Sequence, residues 1–145
     1  MRFSMKEERE IAEAARLIAS SKFAVALSGA GISTESGIPD FRGPDGLWKK
    51  IDPSTASIDY LSKMLREGSI EKYRSVLAPM IQKLINAKPN AAHFAIAELE
   101  KMGKIKVVIT QNIDSLHQKA GSKNVTEVHG TYKTATCMGC RRKYT

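Results

Sequence analysis

Cysteine is nearly absent from this chain: of its 145 residues only Cys137 and Cys140 carry thiols. One pair at C-x-x-C spacing, with no secretory signal, points to metal or redox chemistry rather than a structural staple. No apolar run approaches the roughly 18 residues that cross a bilayer, and the opening MRFSMKEERE is charged where a signal peptide needs an apolar stretch. The expectation is a cytoplasmic protein with no membrane association. Internal repeats, low-complexity tracts and flexible linkers are also missing. Aromatic residues are sparse at 6%, beside 42% hydrophobic and 26% charged. That composition is globular and excludes collagen-like and disordered classes. The length fits one domain, or part of one, and is too short for two.

Basic residues are in excess. Lys and Arg number 23 against 15 Asp and Glu, giving a net charge of +8. That balance suits nucleic acid or nucleotide phosphate, or a merely solvated surface, and speaks to encounter rather than fold. Residues 6–20 place Ile11, Ala14, Ala15 and Ile18 at helical spacing between charges, which predicts an amphipathic helix. The run from Phe23 to Leu27 reads as a strand buried on both faces, stopped by Gly29-Ala30-Gly31. Residues 35–54 hold Gly37, Pro39, Gly43, Pro44, Gly46 and Pro53, too many breakers for any regular element, so a long functional loop is expected. Helical stretches follow over about 57–66 and 70–86, with Pro79 expected to end or kink the second. A further helix starts at the N-cap Asn90 and stops at Gly103. Ile105–Thr110 is a second buried strand. Gln111–Asp114 opens a short helix closed by Gly121, and Val125–Val128 is a third strand. Strands alternating with helices predict an α/β fold, a Rossmann-like doubly wound parallel sheet.

Several residues carry candidate chemistry. The turn at Gly29-Ala30-Gly31 lets backbone approach a pyrophosphate, or simply reverses the chain. Thr34 stands where the dinucleotide fingerprint has its third glycine, and no acidic second strand follows, which argues against an ordinary hydride-transferring dehydrogenase. Asp40, Phe41 and Arg42 set a carboxylate, an aromatic face and a guanidinium side by side; the alternative is a proline turn with Phe41 as a buried anchor. Gln111, Asn112 and Asp114 lie at the carboxyl end of the second strand, where open parallel sheets bind ligands. Asp114 and His117 stand at i, i+3 and can pair. His117 reads first as a satisfied structural histidine, and His93 still more so. His129, ending a strand before Gly130, is either a general base at the same edge or a loop histidine bonded to backbone.

Taken in order, Gly29-Ala30-Gly31-x-Ser33, Gly37-Ile38-Pro39-Asp40-Phe41-Arg42, Thr110-Gln111-Asn112-x-Asp114-x-Leu116-His117, His129-Gly130 and Cys137-x-x-Cys140 resemble the sirtuin family over nearly the whole chain. The resemblance implies an NAD-consuming protein lysine deacylase. Its domains would be the amino-terminal part of a Rossmann-like domain over 1–130, with a helical insert at about 55–88, and the start of a zinc-binding module over 131–145. It assigns pyrophosphate to Gly29, Ala30 and Gly31, and a closing cofactor loop to 34–50 with Thr34, Phe41 and Arg42 touching NAD. Gln111 would bind the ribose, while Asn112, Ile113 and Asp114 line a nicotinamide pocket that Asp40 keeps polar. The acyl-lysine oxygen attacks the nicotinamide ribose, nicotinamide leaves, and His129 as general base activates a ribose hydroxyl, giving free lysine and O-acetyl-ADP-ribose. Glycines 37, 43 and 46 suit a loop that closes to exclude water.

Zinc in a structural site takes four ligands, and Cys137 and Cys140 supply two. The expectation is therefore an amino-terminal portion truncated inside its zinc module, poorly soluble or oligomeric alone and with negligible deacetylase activity. The implied partner is acetylated lysine on proteins, nucleic-acid-associated proteins among them, with no direct nucleic acid required. Leu77 and Met80 stand where succinyl-preferring members carry a Tyr-x-x-Arg pair, which implies an uncharged acyl group. Rival readings are an inactive NAD-binding fragment, a mono-ADP-ribosyltransferase of the same family, and a zinc-ribbon nucleic-acid binder using Lys133, Arg141, Arg142 and Lys143.

Overall fold

A computed structural model describes residues 3–49, 52–56, 58–137 and 139–145. Lys50 of the expected cofactor loop and Ser57 at the expected helix start lie outside the described residues, as does the side chain of Leu77. Helix α1 spans Met5–Ser20 and opens on a capping box in which Ser4 and Glu7 satisfy each other's backbone N–H groups. Strand β1 is Ala24–Ser28. Helices α2 (Ile58–Arg66), α3 (Ile70–Asn86) and α4 (Ala91–Lys101) lead to strand β2 (Ile105–Thr110). Helix α5 (Leu116–Ala120) and strand β3 (Val125–Glu127) follow, then an antiparallel pair, β4 (Ala135–Thr136) and β5 (Lys143–Tyr144).

Strands β1, β2 and β3 form one parallel sheet in that order, with Ser28 opposite Thr110 and Thr110 opposite Glu127. Both crossovers are helical, as parallel neighbours require. The result is an incomplete Rossmann-like α/β fold. Asn90 caps α4 by accepting from the N–H groups of Ala92 and His93, and its Nδ2 donates to Ile32 O at 2.7 Å. One asparagine thus starts the helix and ties it to the turn after β1. Helix α4 packs on β2 and α5, and the core behind the sheet holds Val108 and Leu116, both fully buried.

Five expectations need correction. Of the two effects expected of Pro79, ending α3 does not occur, for the helix runs on through it. A proline inside a helix costs about 3 kcal/mol, and burial of Leu84 and Ala87 near the helix end offsets it. The stretch 35–54 is not wholly irregular, because 3₁₀ turns form at Ala30–Ser36, Leu47–Lys49 and Pro53–Ala56. Short 3₁₀ pieces need only three-residue bonds and survive between breakers. Strand β1 is not buried on both faces: Val25 is 44% and Leu27 71% exposed. Among the described residues α4 and α5 cover only the face that carries Ser28, Val108 and Thr110. Likewise α1 buries none of its residues, although its periodicity is that of a packed helix. Finally, Gln111–Asp114 is not helical. Helix α5 starts at Leu116, because Ser115 adopts φ 55° and ψ 25° and breaks the helical path.

Among the described residues no helix is long and apolar enough to cross a membrane.

Candidate functional site

Two parallel strands deliver their carboxyl ends to one edge, and the loops leaving them carry the polar residues. After Ser28 the chain enters the 3₁₀ turn Ala30–Ser36, closed by Gly37 at φ 83°, a left-handed value that favours glycine. Gly29 stands where a Cβ would come within 3.8 Å of Gln111 Oε1, and a Cβ on Gly31 would meet nothing within 4 Å. The bare backbone there is open to a ligand, and the first N–H groups of the turn have no partner within it.

Asn112 binds this turn. Its Nδ2 donates to Gly29 O and to Ser33 Oγ, each at 3.1 Å. Both amide hydrogens are thereby used, and Oδ1 is left as an acceptor. Ser33, 1% exposed, passes its own proton to Asp114 Oδ2 at 2.7 Å. The other carboxylate oxygen accepts from Leu116 N at 2.9 Å and so satisfies the first free N–H of α5. Asp114 is 3% exposed with each oxygen accepting one bond and lone pairs to spare, and among the described residues it makes no hydrogen bond to His117, so the pairing open to it at i, i+3 does not form. Ser115 holds its left-handed backbone through bonds from its Oγ to Glu127 Oε1 and Thr131 Oγ1, both 3.1 Å. Ile113, half-buried, is anchored by Tyr132 N donating to its carbonyl.

His129 lies just beyond β3, exposed, with Nδ1 3.0 Å from the Gln111 carbonyl oxygen. A carbonyl only accepts, so Nδ1 carries the hydrogen and Nε2 of the neutral ring keeps its lone pair. The geometry is that of a base oriented by backbone.

The loop residues form their own assembly. Asp40 Oδ1 accepts from Gly43 N at 2.8 Å, and Leu47 N and Trp48 N return to the carbonyls of Asp40 and Phe41. Phe41 is not a buried anchor. It is 48% exposed and stacks on Trp48, ring centroids 5.1 Å apart. Arg42 is exposed, and Thr34 Oγ1 donates to Gly31 O at 2.9 Å. Among the described residues no hydrogen bond joins Asp40, Phe41 or Arg42 to the Asn112–Asp114 cluster. The structure therefore brings together Gly29, Gln111, Asn112, Asp114 and His129, and keeps the 40–42 loop closed on itself.

Cys137 and Cys140 sit on a separate hairpin. Cys137 N donates to Arg142 O and Arg141 N to Cys137 O, both at 2.9 Å. Hydrogen bonds from the backbone of Cys140 and Gly139, with a smaller one from the Cys140 side chain, pull the Cys137 thiol below its usual range. A Cys137 thiol whose charge is stabilised by amides, with two residues between it and Cys140, suits a soft metal ion as half a ligand set. Among the described residues no group of three or more His, Cys, Asp or Glu gathers to complete it.

Ser33, Ser28 and Thr110 are structural partners of the site to which the sequence alone assigns no role, and His93 joins them as the structural histidine it is expected to be. Ser33 stands within the Gly29-Ala30-Gly31-x-Ser33 run, a signal that could have marked it. His117 and His93 are buried, at 1% and 0% exposure, with ring centroids 5.0 Å apart. Both are held below the ordinary histidine range. Burial is the main cause for each; His93 adds to it for His117, while Asp114 opposes both and Glu100 opposes at His117. Unfolded, each imidazole titrates near 6.5. Below that pH the unfolded chain binds more protons than the folded one, so folding stability is full above it and declines as pH falls through it. Thermal melts are expected to be flat above about pH 7 and to drop below it, with a shallower acid limb in His117→Gln. An acid limb unchanged by that substitution would exclude His117 as a source.

The Sir2 family profile matches residues 29–145. An NAD-dependent protein deacetylase of Caldivirga maquilingensis is 58% identical over 135 residues, covering 91% of this chain and 49% of the relative. Its counterpart from Saccharolobus solfataricus is 55% identical over 125 residues, covering 86% and 49%. Among solved structures, a Sir2 variant with a deacetylated p53 peptide and 3′-O-acetyl-ADP-ribose matches with TM-score 0.84 at 44% identity, over 93% of this chain and 53% of that one. A Sir2 homologue variant bound to ADP-ribose gives 0.82 at 44%, over 91% and 51%. The chain thus spans about half the length of the curated relatives it matches. With a profile covering most of its residues, and with Gly29, Asn112, Asp114 and His129 gathered at one sheet edge, the chain belongs to the Sir2 family, the sirtuins.

Proposed function

We propose that this chain forms the NAD-cleaving edge of a protein lysine deacetylase, which transfers the acetyl group to ADP-ribose and releases nicotinamide. The observation that carries the reading is the Asn112–Ser33–Asp114 cluster, fixed by its own hydrogen bonds beside a histidine whose Nε2 is left free to accept a proton. The names of the relatives, NAD-dependent protein deacetylases, and solved Sir2 structures holding ADP-ribose support it. When bound, NAD supplies a ribose carbon that becomes reactive as nicotinamide leaves. The residues do the rest. Gly29, Ala30 and Gly31 receive the pyrophosphate, Gln111 the ribose, and Ile113 and Asp114 the carboxamide. Asn112 Oδ1 accepts from the ligand, and His129 Nε2 takes a ribose hydroxyl proton. Thr34, Asp40, Phe41 and Arg42 belong to the loop that closes over the cofactor and keeps water out. Cys137 and Cys140 hold zinc as two of four ligands. The partner is an acetylated lysine on a protein, and the compartment the cytoplasm.

The test joins this chain to the carboxyl-terminal half of the Caldivirga maquilingensis relative and incubates the chimera with NAD and an acetyl-lysine peptide. Equal amounts of nicotinamide, free-lysine peptide and O-acetyl-ADP-ribose are expected. ADP-ribose attached to protein would identify a mono-ADP-ribosyltransferase instead, and bound but intact NAD a binding protein. Neither Leu77 nor Met80 can pair with a carboxylate, so the chimera is expected to remove acetyl at least about tenfold faster than succinyl, since a hydrogen bond to a charged group is worth about 1.5–3 kcal/mol. Faster succinate release would refute the assignment of an uncharged acyl group.

A further inference from the structure

Behind the candidate pocket a second line of polar atoms runs into the core, and no step described so far uses it. His117 Nε2 lies 2.8 Å from Ser28 Oγ. Ser28 Oγ donates to Thr110 Oγ1 at 2.8 Å, and the backbone N–H of Asn112 donates to the same Thr110 oxygen at 3.1 Å. Ser28 also holds the turn through its carbonyl, which accepts from Gln111 N at 3.0 Å. All four residues of the line except Asn112 are buried.

The far end of the line sets its direction. His117 Nδ1 is buried with no partner. An N–H left without an acceptor is the rarer and costlier defect, so Nδ1 is a bare lone pair and Nε2 carries the proton. Nε2–H therefore donates to Ser28 Oγ, which leaves the serine proton no other use than Thr110 Oγ1. From the ring outward every bond points the same way, toward the oxygen that receives the Asn112 amide.

We propose that His117 is a positioning residue: through Ser28 and Thr110 it orients the acceptor that fixes the Asn112 backbone, and with it the 111–114 turn. Its importance for catalysis rests on the reading of that turn as the nicotinamide pocket. The groups that face the ring favour its neutral form. His93 from α4 stands against it with an equally unpartnered Nε2, and among the described residues only Asp114 from the turn and Glu100 from α4 pull the other way. Glu100 is itself engaged by the N–H groups of Lys123 and Asn124. A proton added at Nδ1 would find no acceptor, so the relay keeps one direction.

The test is amide hydrogen exchange on the chimera, read by nuclear magnetic resonance, with the amide of Val108 as reference. Val108 N bonds Asn124 O at 2.9 Å within the sheet and does not depend on the relay. In His117→Leu the Asn112 amide is expected to exchange about tenfold faster while Val108 is unchanged. His117→Gln, whose side-chain amide can donate to Ser28, is expected to restore Asn112 to within about twofold of the original. Should His117→Leu not fold, Ser28→Ala breaks the same line without removing a ring and is expected to accelerate Asn112 alone. Unchanged Asn112 exchange in a folded variant overturns the proposal, and so does equal acceleration at Val108, which would make His117 only a core residue. Failure of His117→Gln to restore Asn112 overturns it as well. Added NAD separates the two readings. A relay seen by exchange with no NAD-induced shift at Asn112 leaves the relay standing and removes the pocket, whereas an NAD shift with no relay does the reverse.

Discussion

His129→Ala in the chimera is expected to lower deacetylation by about 10²- to 10⁴-fold, while NAD affinity stays within about twofold. The asymmetry follows from the role. A base that takes a proton only as the ribose hydroxyl attacks acts on the transition state and contributes little to ground-state binding. His129 suits this because its Nδ1–H is held by the Gln111 carbonyl at 3.0 Å, which aims the ring and frees Nε2. His129→Gln should not restore turnover, since an amide nitrogen cannot accept the proton. Turnover retained in His129→Ala would remove the residue from the mechanism, and a parallel loss of NAD affinity would recast it as a binding group.

Asp114→Asn is expected to cost about 1–3 kcal/mol of folding stability and to slow turnover, with weaker inhibition by nicotinamide. The carboxylate accepts from two donors, Ser33 Oγ–H and Leu116 N–H. An amide can accept from one and must point N–H at the other. If it faces Ser33, that hydroxyl accepts from positions 112 and 114, and its own buried proton loses the acceptor it now has in Asp114. If it faces Leu116, the first free N–H of α5 loses its acceptor. Urea titration of the chain and nicotinamide inhibition of the chimera measure the two effects. Unchanged inhibition would move the carboxamide contact elsewhere, and unchanged stability would contradict the bonding described here.

What the sequence made legible follows from local chemistry. The Asn90 cap, the parallel strands and the glycine turn each rest on interactions within a few residues or on apolar periodicity, and all are present. Gathering of Gln111, Asn112, Asp114 and His129 at one edge was readable because a parallel sheet puts strand ends there. Other features depended on partners distant in sequence. Ser115 adopts left-handed backbone because Glu127 and Thr131 hold its hydroxyl, 12 and 16 residues away, so the turn at 111–114 read as a helix. Propensity alone lets Pro79 end a helix, and α3 nonetheless continues through it. Burial of Val25 and Leu27 was read from apolarity alone, and apolarity does not say whether a covering layer lies within the same residues. The roles of Ser33 and Ser28 required knowing that residues about 80 positions apart meet across the β1–β2 pair.

NAD is expected to lie against the carboxyl ends of β1 and β2. Titrating the isotopically labelled chimera with NAD, and following its amide resonances, is then expected to give shifts centred on Gly29, Ala30, Gly31, Asn112, Asp114 and His129. Shifts confined to the basic hairpin around Arg141, Arg142 and Lys143, or a sheet edge untouched at saturating NAD, would contradict it.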